Sequence, residues 1–150
     1  MNRVRIVVGP ERFDLGHEYA ALTANDVDSG AVVAFVGRVR DFGLDSRLTL
    51  EHYPGMTEKT LAAIVAQAEA RWPLTAVTVI HRVGELAAAD EIVLVLTASG
   101  HRRAAYEANA FIMDYLKTEA PFWKLEHSAA GRCWVEAKAS DEADKNRWSE

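Results

Sequence analysis

Residues 31–40, AVVAFVGRVR, open as an almost continuous apolar run rich in β-formers. A run without polar alternation suits a strand buried on both faces, and such a strand needs other elements packed on either side. AVTVIHRVG (76–84) and EIVLVLTAS (91–99) read as two further strong strands, joined by the turn-bearing ELAAAD. The helices to cover them are also legible. Leu61, Ile64, Val65, Ala68 and Trp72 follow the i, i+3, i+4, i+7, i+11 spacing within Thr57–Trp72, which Pro73 terminates. A second helix is predicted over 102–117, with Ala104, Ala108, Phe111, Ile112, Tyr115 and Leu116 on its buried stripe. A short helix over 15–24 and strands at 4–8, 48–53, 122–127 and 132–137 complete the order β-α-β-β-α-β-β-α-β-β. That order predicts an α+β fold, helices packed on a mixed or largely antiparallel sheet.

At 150 residues the chain reads as one domain, 1–150, with 139–150 as either a helix anchored by Trp148 or a loosely packed tail. A net charge of −5 argues against a nucleic-acid binder working through a general basic field. Cys133 is the only cysteine, so there is neither a disulfide framework nor a CxxC pair, and it reads as a small core residue. No run approaches the roughly 20 apolar residues of a membrane span, and the N-terminus is too weakly apolar for a signal peptide. A cytoplasmic location is the expectation.

Phosphate-loop, dinucleotide, zincin and serine-hydrolase motifs are absent. What stands out is cations at element ends. Arg38 and Arg40 close the 31–40 run, two apart and so on one side if the strand continues, with Gly37 allowing a ligand near the backbone. Solvated arginines at an exposed strand end are the commoner outcome. SGHRR (99–103) joins a strand to a helix, where Ser99 as cap, helix amides, His101 and Arg102 suit an anion; a capping turn with exposed cations is the plainer alternative. Lys117 and Lys124 flank Pro121, Phe122 and Trp123. A lysine desolvated by such neighbours can serve as base or nucleophile, although most lysines beside apolar groups bury only the stem. His52 and His81 lie in strands and read as satisfied core or edge residues, and metal ligation is not expected, since no helix or hairpin presents two ligands together. Fifteen residues separate Arg102 from Lys117, about 22 Å along a helix. One small substrate cannot touch both ends, so these are two sites or the composite sites of a symmetric dimer.

LEHYPGMTEKTL, RWPLTAVTVIHRVGEL, SGHR and FIMDYLKTEAPFWKLE resemble the large, catalytic subunit of molybdopterin synthase, and the likeness runs from IVVGP near the N-terminus to Arg147–Trp148. The resemblance implies a hammerhead-type α+β fold and a homodimer at the centre of a heterotetramer. It also implies a small ubiquitin-like sulfur-carrier subunit whose C-terminal Gly-Gly thiocarboxylate donates two sulfurs to cyclic pyranopterin monophosphate (precursor Z), yielding molybdopterin. On this likeness Lys117 and Lys124 are catalytic, while Arg38, Val39, Arg40, His101, Arg102, Leu125 and Glu126 join them in binding substrate, His101 and Arg102 serving the partner's pocket. No resident cofactor or metal is implied, because molybdenum is inserted later by other proteins. The loop DFGLDS (41–46) is expected to vary. A non-catalytic scaffold for a partner's C-terminal tail, or an unrelated phosphate-binding enzyme, would be the alternatives.

Overall fold

The computed structural model describes residues 3–41, 47–128, 131–135 and 139–149. The DFGLDS loop beyond Asp41 and the side chain of Cys133 lie outside the described residues. In chain order the elements are β1 (Arg3–Gly9), α1 (Leu15–Thr23), β2 (Ala31–Arg38), β3 (Arg47–His52), α2 (Met56–Arg71), β4 (Leu74–Arg82), β5 (Gly84–Ala87), β6 (Glu91–Ser99), α3 (Arg102–Glu119), β7 (Phe122–Ser128), β8 (Gly131–Val135) and α4 (Ala139–Asn146). Among the described residues the strands form two four-stranded sheets, ordered β1-β4-β6-β2 and β5-β3-β7-β8. Only β1 and β4 run parallel in these ladders. The fold is thus mixed helix and sheet, as expected, but with two sheets where one was expected.

Strands β4 and β6 are the ones buried on both faces. Val77, Val79, Val93 and Val95 face α2 and α3, packing with Leu61, Ile64, Val65, Phe111, Ile112 and Leu116. The intervening Ala76, Ile80, Leu94 and Leu96 face the other way, onto Leu22 of α1. Each such fully buried aliphatic or aromatic side chain contributes about 1.5–3 kcal/mol relative to exposure. The 31–40 run departs from expectation: β2 is an edge strand, with Ala34 and Phe35 exposed. Its apolar residues are half-covered by a single neighbour, β6, and by α3, whose buried Asn109 donates to the carbonyls of Val33 (3.1 Å) and Val95 (3.0 Å). Hydrophobic runs report burial but not rank in a sheet, which is why an edge passes for a centre.

The second sheet arises because Gly84, at φ 89°, turns the chain off β4 into β5, a conformation open to glycine. Strand β5 lies in the stretch expected to be only a turn; it is four residues long and buries Leu86 alone, too little alternation to see. Leu86, Leu48, Leu50 and Val39 form a small cluster with Val83 and Ile92, sealing the junction of the sheets.

Helix α3 begins one residue after His101, which occupies the N-cap position. Ser99 does not cap it; its buried hydroxyl donates to Pro73 O at 2.7 Å. At the far end Ala120 is extended and Pro121 follows, so β7 leaves at once into the second sheet. The C-terminal segment folds back on α3. Trp148 packs edge-on against Trp72 and Phe111 and donates from Nε1 to Asp114, while Lys145 pairs with Glu119. No helix among the described residues is long and apolar enough to cross a membrane.

Candidate active site

A cavity of about 210 Å³ opens where the two sheets meet at the C-terminal end of α3. Strand β2 contributes Phe35, Gly37 and Arg38; β4 contributes His81; the last turns of α3 contribute Leu116 and Lys117; β7 contributes Phe122 and Lys124; α4 contributes Asp141. Among the described residues, three cations and one carboxylate therefore share a cavity that also has Ile92, Val93 and Leu50 in its wall. A wider groove of about 620 Å³ between α2 and α3 has, among the described residues, one lysine, Lys59, and one glutamate, Glu119, and no converging cations. Charge focus singles out the smaller cavity.

The corner at Pro121 joins the two lysines in one place. Lys117 stands exposed in the last turn of α3, and Lys124 is half-buried on β7 opposite Leu50 of β3. Phe122 and Lys124 are two apart on β7 and so share its cavity face. Trp123 falls on the other face, 41% exposed and edge-on to Tyr53 at 4.6 Å, and so is not the wall that its place beside Lys124 suggested. Leu125 and Glu126 are half-buried in β7 and do not line the cavity.

The arginines part company. β2 ends at Arg38, with an irregularity of register between Gly37 and Arg38, so the condition for Arg38 and Arg40 to share a side is not met. Arg38 lines the cavity and reaches Ala89 O at 3.5 Å; Arg40 is exposed beyond the strand and outside the lining. Val39 between them is a core residue, its N–H bonded to Asp90 O and its carbonyl to Ala89 N–H, both at 2.8 Å. Gly37 serves packing: a Cβ there would lie 2.6 Å from Val93 Cγ1, so β2 seats closely on β6 only with glycine.

His101 and Arg102 are exposed at the opposite end of α3 and take no part in the cavity. The intrachain pocket thus unites Lys117, Lys124 and Arg38, and leaves out Arg40, His101, Arg102, Leu125 and Glu126.

His81 was expected to be a satisfied core residue, and it is both that and a lining residue. It is buried, donates from Nδ1 to Arg82 O at 2.8 Å, and stacks on Phe122 with ring centroids 3.8 Å apart and planes 18° apart. Burial above all pushes its pKa down to about 4; the carbonyl partner opposes this, and the charges of Lys117, Lys124 and His52 add to it. The imidazole is neutral at pH 7. The signal that would have found it is parity: His81 follows Val77 and Val79 at the period of two, which puts it on the α3 side of the sheet at the level of the last helical turn. Asp141 was missed because α4 carries it in from a distant part of the chain. Among the described residues no three His, Cys, Asp or Glu side chains are grouped to hold a metal ion.

Comparison with known proteins agrees across sequence and structure. The family model described as MoaE protein matches residues 8–119. The molybdopterin synthase catalytic subunit of Salmonella typhimurium is 59% identical over 151 residues, covering 99% of this chain and all of its own. A solved MoaE protein of molybdopterin biosynthesis from Burkholderia ambifaria is 48% identical, with a TM-score of 0.83 over 100% of this chain and 99% of its own. A Helicobacter pylori chain, solved as a complex of subunits 1 and 2 of molybdopterin-converting factor, is similar in fold alone, at 20% identity and a TM-score of 0.72 over 90% of this chain and 91% of its own.

Proposed function

The chain belongs to the MoaE family, and we propose that its lysine-lined cavity is where sulfur passes from a carrier's C-terminal thiocarboxylate to cyclic pyranopterin monophosphate, as a molybdopterin synthase requires. It is an enzyme subunit of molybdenum cofactor biosynthesis. The observation that carries the finer reading is the meeting of Lys117, Lys124 and Arg38 in one cavity.

Both reactants are anions, one a cyclic phosphate and the other a thiocarboxylate. Bringing them together in water is opposed by their charges, and fixed cations in a partly dry cavity offset that repulsion without reorganising during the reaction. Lys117, at the tip of α3, is the group suited to polarise the pterin or to stabilise the carrier's acyl group as it gives up sulfur. Lys124, held in the β7 ladder, is the more rigidly placed charge. Arg38 offers a planar, two-pronged donor for phosphate or carboxylate.

The assembly follows from what one chain lacks. A cavity of about 210 Å³ is smaller than the about 300–1,000 Å³ common for small-molecule sites. His101 and Arg102 lie about 22 Å away along α3. In our reading a second copy of the chain supplies them, making a homodimer, and a small ubiquitin-like carrier inserts its Gly-Gly tail at each end to give a heterotetramer. Arg40, Leu125 and Glu126 then act at the rim rather than in the intrachain cavity. The enzyme works in the cytoplasm with no resident cofactor, and molybdenum enters at a later step.

The test is reconstitution with thiocarboxylated carrier and cyclic pyranopterin monophosphate, assaying molybdopterin. Lys117→Ala is expected to lose at least about 100-fold in rate, and equal rates for variant and wild type would refute the assignment.

A further inference from the structure

We propose that His81 is a positioning residue of this cavity: its imidazole presents Nε2 as the hydrogen-bond acceptor that orients an ammonium group of the lysine pair. The inference deepens the sulfur-transfer reading and rests on it for its kinetic assay.

The tautomer follows from geometry. Nδ1 lies 2.8 Å from Arg82 O, and a carbonyl only accepts, so Nδ1 carries the proton and Nε2 keeps a lone pair. A half-turn of the ring would put carbon Cδ2 in the place of Nδ1 and forfeit the bond to Arg82 O, and Phe122, stacked on the ring at 3.8 Å, holds the observed orientation. Nε2 is then the one polar atom that the ring can offer to the cavity it lines.

The chemistry of the neighbours selects what Nε2 accepts. Lys117, Lys124 and Arg38, which line the same cavity, are donors without acceptors. A carboxylate in the place of His81 would hold an ammonium group but cancel its charge. A neutral imidazole holds it and leaves the positive charge facing the anionic substrates. The surroundings keep the imidazole neutral. Burial above all, and then the charges of Lys117 from α3, Lys124 from β7 and His52 of β3, oppose a second proton; Arg38 of β2 is a further cation in the lining, Asp141 of α4 is its one carboxylate among the described residues, and the adjacent Arg82 is bonded to Glu91 O and Pro10 O.

A structural role and the proposed role separate by variant. His81→Asn keeps an amide N–H in the place of Nδ1 and deletes the Nε2 acceptor; His81→Gln carries an amide oxygen out to the place of Nε2. In the reconstituted synthase His81→Asn should lower the rate constant for sulfur transfer about 10- to 100-fold, the range for a lost hydrogen bond to a charged group. The KM for the carrier should hardly change, and His81→Gln should recover to within about fivefold of wild type. Wild-type rates in His81→Asn, or equal losses in the two variants, would overturn the proposal. A long-range 1H–15N spectrum of the folded wild type reads the tautomer without any variant. A protonated Nδ1 with bare Nε2 is required, and an Nε2–H tautomer overturns the proposal even if both variants fail to fold. A wild-type enzyme that makes no molybdopterin counts against the sulfur-transfer reading instead, and the spectrum then decides His81 alone.

Discussion

Acid should destabilise this protein in part through His81, and the size of that contribution can be worked out. His81 is buried and titrates at about 4, below its ordinary 6.5. Between those two pH values the unfolded chain holds a proton that the folded chain does not, so acidification favours unfolding. The stability contributed by the neutral ring is fully present above pH 6.5 and is lost as pH falls through about 4. At 1.36 kcal/mol per pH unit the gap amounts to about 3 kcal/mol, a large share of the roughly 5–15 kcal/mol typical of a domain. The assay is urea unfolding at fixed chain concentration from pH 8 to pH 4, for wild type and His81→Gln. Lys117, Lys124, Arg38, His52 and Asp141 surround the ring and its cavity in both proteins, so their contributions largely cancel in the difference. Wild type should lose up to about 3 kcal/mol more than the variant across this window. Parallel curves would refute the reasoning, because a ring that gains its proton equally in both states is not desolvated by the fold.

Two further outcomes are expected. If a second copy completes each site, mixing inactive Lys117→Ala with inactive Arg102→Ala chains should restore about a quarter of wild-type molybdopterin synthesis, since half the dimers are mixed and each mixed dimer holds one intact site; no recovery after subunit exchange would exclude the composite site. Asn109→Ala removes a buried amide that ties α3 to Val33 of β2 and Val95 of β6, and should cost about 2–3 kcal/mol in urea unfolding, with a loss below about 0.5 kcal/mol showing that the tie is idle.

The parts of the fold that were legible are those where one periodicity dominates. The stripe Leu61, Ile64, Val65 and Ala68 is buried as read, and β4 and β6 fall where their apolar runs lie. What failed needed a partner outside the window. The edge position of β2, the short β5 and the burial of Val39 each depend on which strand lies alongside, and a local pattern carries no such information. The candidate site divides the same way. Lys117 and Lys124 are close in sequence and joined by a proline corner, so their convergence was visible. Arg38 was separated from Arg40 only by the irregularity after Gly37 and the end of pairing at Arg38, and His81 and Asp141 reach the cavity from elements that the sequence keeps far apart.

The geometry of α3 ties these observations to the chemistry. Its buried stripe fixes the helix along β6 through Ala105, Ala108 and Ile112, and Thr97 Oγ1 donates to Ala105 O at 2.7 Å, so the helix cannot slide without breaking core contacts. A rigid element then holds Arg102, next to the N-cap residue His101, at one end and Lys117 at the other. Cations oppose the helix dipole at its N-terminus, by about 0.3–1 kcal/mol each at an exposed site, whereas Lys117 at the C-terminus is favoured. A chain acting alone gains nothing from Arg102 at this position. Two chains in which the N-terminal end of one α3 meets the C-terminal end of the other would give Arg102 a use, setting it and His101 beside the anionic substrate that we propose for Lys117 and Lys124.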